Sequence, residues 1–218
     1  MSNLNLQQQQ DLSMPRLKEV SLQDVTDARV KATYEKHFEG RDPTKEPGTK
    51  GGTPGNWWSV YALDPELFGL FLDRHKWQWS KDRTLDPILR ELGIARAGWA
   101  RGSRFVFSQH CKVLRREGCP EEKIQAIPAW SGSDIYTPLE RAVLGYADDL
   151  VSGDGRSSDQ RFEQLRAGLD DLQIFELTFM VLTYESSAKL CKALRLEYDD
   201  IDERVTEVQQ GEYDLERM

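Results

Sequence analysis

The chain has 218 residues, enough for one domain with a sizeable core, and its 30% charged content indicates an extensively solvated surface. Its formal net charge is -8, with acidic and basic residues mixed along the chain, so no basic stripe is offered to a phosphate backbone. We therefore expect no nucleic-acid partner. No run approaches the roughly 18 apolar residues of a membrane span, so no membrane partner is expected either.

The two ends of the chain differ in composition from its middle. The N-terminus is polar and glutamine-rich and lacks an apolar signal region, which argues against secretion. We predict a disordered tail over residues 1–16, a single all-α domain over 17–198, and an acidic tail over 199–218. The three cysteines, Cys111, Cys119 and Cys191, have no close-spaced ligand or disulfide pattern, so reduced thiols and a cytoplasmic location are expected.

The first predicted helix covers about residues 22–38. Ser21, with Asp24 three residues later, resembles a capping box at its start. Residues 40–55 are rich in Gly, Pro, Lys and Thr and predict a long loop. Such a loop is either a lid over a substrate or an inserted surface loop, and the sequence leaves both open.

Capping residues, several of them followed by proline, mark the later helix starts. Thr137-Pro138-Leu139-Glu140 is the clearest, because it combines a threonine cap, proline at the first position and glutamate at the third. The predicted helices cover about 65–79, 85–97, 103–118, 120–127, 137–151, a segment beginning at Ser158, and 171–194. No strand pattern of comparable strength occurs, so the expected fold is all-α.

The third predicted helix, over about 85–97, and the last one, over 171–194, are apolar on more than one face. In the last helix the apolar positions are Leu172, Ile174, Phe175, Leu177, Phe179, Met180, Val181 and Leu182. A helix that is apolar all round must be covered by neighbours or by another subunit. We therefore expect a homo-oligomer, as a dimer, trimer or hexamer.

Glu91 and His110 lie on either side of Gly102, at nearly equal distances along two predicted helices. At about 1.5 Å of rise per residue, each is roughly 14 Å from a turn at Arg101-Gly102, so an antiparallel pair of helices would bring them level. A carboxylate beside an imidazole can transfer protons near neutral pH. The spacing therefore predicts a proton-transfer pair.

Several stretches together resemble one known superfamily. They are Leu89-Arg90-Glu91-Leu92-Gly93-Ile94-Ala95-Arg96, then 102–110, 116–124, 137–148, and 170–194 with Tyr184 inside. In order and spacing they resemble the carboxymuconolactone decarboxylase and alkylhydroperoxidase-D-like superfamily, over about residues 56–196. The resemblance implies an alkylhydroperoxidase-D-like helical bundle, to which the first helix would be an N-terminal extension.

The two branches of this superfamily imply different chemistry. The peroxidase branch uses a glutamate, a Cys-x-x-Cys pair and a histidine four residues after the second cysteine. By position these fall on Glu91, Ser103, Val106 and His110, and neither Ser103 nor Val106 can form a thiolate. The chain therefore resembles the decarboxylase branch more, and that branch requires no metal or organic cofactor. We expect a small carboxylated or oxo substrate, acted on by a lyase or isomerase.

The resemblance also suggests roles for individual side chains. His110 would deliver a proton at carbon, while Glu91 would orient the imidazole or stabilise its cation. Ser103, two turns before His110, could contact a substrate oxygen, and Phe107 would form an apolar wall. Arg96 is a candidate anchor for a substrate carboxylate, although it lies well round the helix from Glu91.

Two aromatic residues complete the candidate site. Trp57 belongs to a tryptophan-rich region that either lines an aromatic-substrate pocket or forms core, and Tyr184 lies in the closing helix. The other histidines, His37 and His75, are isolated, so no metal site is expected.

Alternatives remain open for the pair and for the protein. His110 could be a buried structural histidine, and Glu91 could form a salt bridge to a neighbouring arginine. The chain would then be a non-catalytic helical oligomer with a decayed site. A third interpretation is a peroxidase that uses Cys111 or Cys119 alone.

Overall fold

A computed structural model describes residues 14–50 and 52–197, and every regular element in these two ranges is helical. The α-helices are α1 (Ala28–Phe38), α2 (Asn56–Tyr61), α3 (Pro65–Gln78), α4 (Pro87–Ala100), α5 (Arg104–Arg116), α6 (Glu121–Ala126), α7 (Pro138–Ser152), α8 (Asp159–Arg166) and α9 (Asp171–Leu194), with 3-10 helices at Leu22–Asp24 and Ile127–Gly132. The all-α prediction is confirmed. None of the helices in the described ranges has the length and apolar character that a membrane span requires. The predicted tails fall largely outside the described ranges.

Most of the later helices begin where the capping residues predict. Asp64 and Asp86 each accept hydrogen bonds from two backbone N–H groups of the first turn, ahead of Pro65 and Pro87. The Thr137 hydroxyl accepts from the Glu140 N–H while the Glu140 carboxylate accepts from the Thr137 N–H, which completes the predicted capping box. Each such cap stabilises its helix by about 1 kcal/mol.

The start of the first helix differs from the prediction. The Ser21 hydroxyl donates to the Asp24 carboxylate instead of capping backbone groups, and Leu22–Asp24 forms a single 3-10 turn. The α-helix begins at Ala28, because the carboxylate of Asp27 accepts from the N–H groups of Arg29 and Val30. The expectation of a helix from residue 22 was therefore wrong. A short helix, α2, also precedes Asp64 where none was predicted.

The described residues form two compact units. The first unit contains residues 14–80, apart from 51, together with 191–197. Its core is built from α1 and α3 with the side chains of Val30, Tyr34, Phe38 and Phe68, all of them buried. The expected loop between α1 and α2 is present, and its backbone is tied by hydrogen bonds such as Gly48 N–H to Pro54 O. Whether 17–198 folds as a single domain stays a prediction.

The second unit contains residues 81–190 and is centred on α4. This helix packs against α5 on one side and α7 on another. A Cβ atom at Gly93 would lie 3.0 Å from Leu177 and 3.1 Å from Val181 of α9, so α9 also lies close to α4. The core of this unit includes Leu92, Val143, Leu144, Leu177 and Val181. A helix covered on several sides explains why its sequence is apolar all round.

Candidate active site

The helices α4 and α5 form a tight antiparallel hairpin. Gly102 has φ of 61°, a left-handed conformation that glycine adopts without steric cost, and it reverses the chain there. Ser103 then caps α5 by accepting from the Val106 N–H. A Cβ atom at Gly98 would lie 2.8 Å from the Phe107 backbone nitrogen, so this glycine lets the two helices approach closely. The hairpin fixes the spacing between side chains on its facing sides.

Glu91 and His110 meet across this hairpin. The Glu91 Oε2 atom lies 2.5 Å from His110 Nδ1, and the two residues are 0% and 4% exposed. The two side chains therefore meet as the reversal at Gly102 predicts. Because an ionised carboxylate only accepts hydrogen bonds, Nδ1 carries the hydrogen, and Nε2 is the ring nitrogen left to exchange a proton with a substrate.

The other carboxylate oxygen of Glu91 is held by the preceding residue. Arg90 Nε donates to Glu91 Oε1 over 2.7 Å, and Arg90 is itself buried. Burial raises the pKa of Glu91, but the contacts with His110 and Arg90 outweigh it and hold the pKa below its ordinary value of 4.5. Glu91 is therefore ionised at neutral pH. Its salt bridge to a neighbouring arginine and its contact with His110 exist together.

Tyr184 also reaches the pair, from α9. Its ring packs edge-on against the imidazole of His110, with ring centroids 4.2 Å apart. The next residue, Glu185, accepts from Arg101 Nε over 2.9 Å and pairs with Lys189 at 2.8 Å. The Arg101–Glu185 contact links α9 to the turn of the hairpin, and the Tyr184 ring links the same helix to His110.

Ser103 and Phe107 have structural contacts of their own. The Ser103 hydroxyl is occupied as the cap of α5 and is almost fully buried. Phe107 is 5% exposed and packs edge-on against Trp99, with centroids 5.1 Å apart. Their expected contacts with a substrate stay predictions.

Arg96 contacts a different group of residues. Its Nε donates to Asp148 Oδ1 over 2.6 Å, and its Nη1 donates to the carbonyls of Ile127 and Pro128. The Trp130 indole N–H donates to the other oxygen of Asp148. Arg96 thus holds the 3-10 helix Ile127–Gly132 against α7, and its position gives no support to the expected role as a carboxylate anchor beside His110.

Trp57 lies in the first unit, where it is 7% exposed. Its ring stacks on Tyr61 with centroids 4.3 Å apart and meets Phe71 edge-on. Its backbone N–H donates to the Glu197 carboxylate. Within its unit Trp57 behaves as a packed core residue, which was the other interpretation of the tryptophan-rich region.

Sequence reasoning did not assign Arg90 to the site. Residues adjacent in a helix do not normally face each other, so the order Arg90-Glu91 carries no signal that the two side chains pair. The available signal was the presence of arginine on a helix whose charged residues are only Arg90, Glu91 and Arg96. A buried arginine requires an acid nearby, and Glu91 is the nearest one in the sequence.

The cysteines of the second unit are poor candidates for thiolate chemistry. Burial raises the pKa of the Cys119 thiol to about 11, and Cys111 is fully buried. Among residues 14–50 and 52–197, no three or more histidine, cysteine or acidic side chains cluster in a way that would hold a metal ion.

Comparisons with known proteins agree with the fold and with the position of the hairpin. Residues 65–149, which include all of α4 and α5, match the carboxymuconolactone decarboxylase family. The uncharacterized protein YdfG of Bacillus subtilis is 26% identical over 124 residues, which are 56% of this chain and 83% of YdfG.

Two solved structures share the arrangement of helices. A protein of unknown function from Agrobacterium tumefaciens aligns with a TM-score of 0.57 at 26% identity, over 62% of this chain and 92% of its own. A peroxidase-related protein from Ralstonia eutropha, with an alkylhydroperoxidase AhpD core, aligns with a TM-score of 0.66 at 18% identity, over 84% and 90% of the two chains. The fold is thus alkylhydroperoxidase-D-like, and residues 65–149 of the chain are similar to the carboxymuconolactone decarboxylase family.

Proposed function

We propose that this protein is a cofactor-independent enzyme that moves protons on a small carboxylated or oxo compound, as a decarboxylating lyase or an isomerase. The observation that carries the proposal is the buried contact of 2.5 Å between Glu91 and His110. A carboxylate that His110 and Arg90 together keep ionised, and that is hydrogen-bonded to Nδ1, leaves Nε2 of the imidazole available as a base and stabilises the imidazolium that forms.

The same two groups serve both reaction types. In decarboxylation the electrons of the breaking carbon–carbon bond pass to the adjacent carbonyl, CO2 leaves, and the imidazolium of His110 protonates the enolate at carbon. In isomerisation Nε2 removes a proton from a carbon next to a carbonyl and returns it at another carbon. Glu91 remains a carboxylate throughout and positions the ring.

A structural role for the pair has one observation in its favour. Both carboxylate oxygens of Glu91 already have partners, Arg90 and His110, as in an ion-pair network that only stabilises a core. A helical oligomer with a decayed site would have the same contacts. Peroxidase chemistry by a lone thiol is opposed by the raised pKa of Cys119 and the burial of Cys111.

Proton transfer can be measured without knowing the natural reaction. The protein is incubated in D2O with a panel of small β-oxo and vinylogous carboxylic acids, and 1H NMR follows deuterium incorporation at carbon and loss of the carboxylate. We expect wild-type protein to accelerate one of these changes, and Glu91→Gln and His110→Ala to lower the rate by roughly 100-fold or more.

His75→Gln is the matched control, because His75 is exposed and its ring accepts a hydrogen bond from Trp79 within the first unit. It should retain the full rate, and circular dichroism should show that all variants fold. If no compound in the panel is turned over while Glu91→Gln lowers the melting temperature, the structural alternative replaces the enzyme proposal.

A further inference from the structure

A cavity of about 520 Å³ lies in the second unit, away from the residues that surround His110. It is bounded by α7, α8 and the 3-10 helix Ile127–Gly132. Its lining combines small or flat apolar side chains with two arginines and one amide, and the principal members are Trp130, Pro138, Arg141, Ala142, Arg161 and Gln164. Cavities of this size, mostly apolar with a few fixed polar groups, are typical of small-molecule sites.

Arg141 brings a positive charge to this cavity that no acid balances. Its Nη1 donates to the Ser133 carbonyl over 2.5 Å, and its Nη2 donates to the Ser131 carbonyl over 3.0 Å. These acceptors are neutral. Over residues 14–50 and 52–197, no carboxylate forms an ion pair with Arg141. Its guanidinium is therefore held rigidly and still favours an anion nearby.

Arg161 supplies a second guanidinium from α8. Its Nη1 donates to Gln164 Oε1 over 3.3 Å, and its Nε lies 3.5 Å from Asp149, a distance at which the ion pair is loose. The guanidinium rests on the bare backbone of Gly145, where an added Cβ atom would lie only 2.6 Å from Nη1. The acidic partner of Arg161, Asp149, also accepts a hydrogen bond from Ser157.

The apolar wall is as firmly placed as the charges. Trp130 is fixed through its indole N–H to Asp148, the residue that Arg96 also binds. The Arg141 guanidinium lies 5.5 Å from the centre of the Trp130 ring, on the side of the cavity. Ala142 and Ala167 leave the space between α7 and α8 unfilled. A flat ligand in this cavity could contact the Trp130 ring and the guanidinium groups of Arg141 and Arg161.

We propose that this cavity binds a small organic carboxylate with a flat apolar body, such as an arylcarboxylate. The planar guanidinium matches a carboxylate through paired N–H groups, and the volume exceeds what a bare anion would occupy. The partners of Glu91 and His110, namely Arg90 and Tyr184, are not among the residues that line the cavity, so we treat it as a second site that stands whether or not the pair is catalytic.

The proposal is tested by NMR with benzoate as the probe and benzyl alcohol as its neutral counterpart. The chain has six tryptophans, and the indole signal of Trp130 is assigned from its loss in Trp130→Phe. We expect millimolar benzoate to shift the Trp130 signal to saturation, and benzyl alcohol to leave it unchanged. Arg161→Gln should weaken benzoate binding about tenfold or more.

Arg166→Gln is the matched control, because Arg166 lies on the same helix, stacks on Phe162 and does not line the cavity. It removes the same charge and should bind benzoate as wild type does. Ala167→Leu fills the cavity from an exposed position and should abolish the shift, which provides a second test if Arg161→Gln does not fold. The proposal fails if wild type shows no saturable shift, if benzyl alcohol binds equally, or if the Arg161 and Arg166 variants behave alike.

Discussion

Glu91 is the residue that connects the charged groups of the candidate site. Its carboxylate divides its two oxygens between a permanent cation, Arg90, and a titratable ring, His110. Without Arg90, a fully buried acid beside a histidine could take up the proton itself, and the pair would lose its carboxylate. The guanidinium therefore adds to the larger effect of His110 in keeping the Glu91 carboxylate ionised.

Replacing Arg90 tests this arrangement directly. In Arg90→Gln we expect the pKa of the Glu91 carboxyl group to rise, because a contact that lowers it is removed while burial, which raises it, remains. The chemical shift of the side-chain carboxyl carbon, followed against pH by 13C NMR, measures the change. Breaking one side of a buried ion pair should also destabilise the fold by about 3–5 kcal/mol.

Arg116→Gln provides a matched control for this substitution. Arg116 also pairs with the next residue, Glu117, but the two side chains are 46% and 30% exposed. We expect the free energy of unfolding of this variant to stay within about 0.5 kcal/mol of wild type. Equal losses in the two variants would show that burial of the Arg90–Glu91 pair has no special effect.

The stability contributed by Glu91 should depend on pH in a definite direction. Its pKa in the folded protein lies below the ordinary value of 4.5, so the unfolded chain binds its proton more tightly. The stabilisation is therefore present above about pH 4.5 and is lost as the pH falls through the lower folded value. Glu91→Gln should lose most stability relative to wild type near neutral pH, and the difference in unfolding free energy should shrink in acid. A difference that is constant or grows on acidification would contradict the lowered pKa.

The sequence predicted the contact between Glu91 and His110, but it did not predict the partners of the two nearby arginines. Glu91 and His110 could be paired because both are measured from a single glycine turn along regular helices. A salt bridge from Glu91 to a neighbouring arginine was only one alternative, because helix spacing does not predict that adjacent residues such as Arg90 and Glu91 pair. The contact of Arg96 with Asp148 could not be predicted, because the two residues are 52 apart in the sequence and lie on helices whose packing the sequence does not specify.

Capping residues at the helix ends predicted the helix boundaries of this protein more reliably than the residues in the helix interiors. Capping residues followed by proline located α3, α4 and α7 nearly to the residue. The same reasoning failed at Ser21, whose hydroxyl bonded to a side chain, so that Asp27 became the cap of α1. Side-chain competition of this kind is not visible in a sequence pattern.

The α4–α5 hairpin should be sensitive to one added methyl group. Gly98→Ala would place a Cβ atom 2.8 Å from the Phe107 backbone nitrogen, and a backbone atom cannot move aside as a side chain can. We expect a loss of about 1–3 kcal/mol in the free energy of unfolding, measured by urea denaturation. Separation of the helices should also lengthen the Glu91–His110 contact.

Gly132→Ala is the matched control for the hairpin, because a Cβ atom at Gly132 would meet nothing within 4 Å. It should unfold at nearly the same urea concentration as wild type. A Gly98 variant as stable as the Gly132 variant would show that the hairpin is less tightly packed than its geometry indicates.

At the scale of the whole molecule, we propose that the chain is a homo-oligomer that uses α9. Within the second unit, four large apolar side chains of this helix are at least 39% exposed: Leu172, Phe175, Phe179 and Leu182. Their spacing of three, four and three residues places them on one stripe, the pattern by which helices pack against each other. A stripe of this kind on a protein surface is typical of an interface.

A charge in the middle of this stripe should dissociate the oligomer. Phe175 is the most exposed member, at 68%, so Phe175→Glu is not expected to disturb the core. We expect light scattering after size exclusion to report a multiple of the 25.1 kDa chain for wild type and a single chain for the variant. Gln160→Glu, which adds the same charge at an exposed position of α8, should leave the assembly intact. A monomeric wild-type protein would contradict the proposal.

Only part of the whole molecule could be inferred from the sequence. The superfamily could be recognised because the order and spacing of degenerate motifs over about 56–196 are themselves informative. The arginine-lined cavity could not, because it depends on Ala142 and Ala167 leaving space between α7 and α8. The shape of a cavity depends on how two helices pack together, and the sequence of each helix alone does not reveal that packing.

The tight reversal at Gly102 has a consequence for how this site forms and changes. Because Glu91 and His110 are nineteen residues apart on one continuous hairpin, their contact closes a short loop and needs no distant part of the chain. Contacts of that kind form early in folding. The contact between Glu91 and His110 therefore depends mainly on the hairpin itself, and substitutions on the outer faces of the other helices should leave it in place.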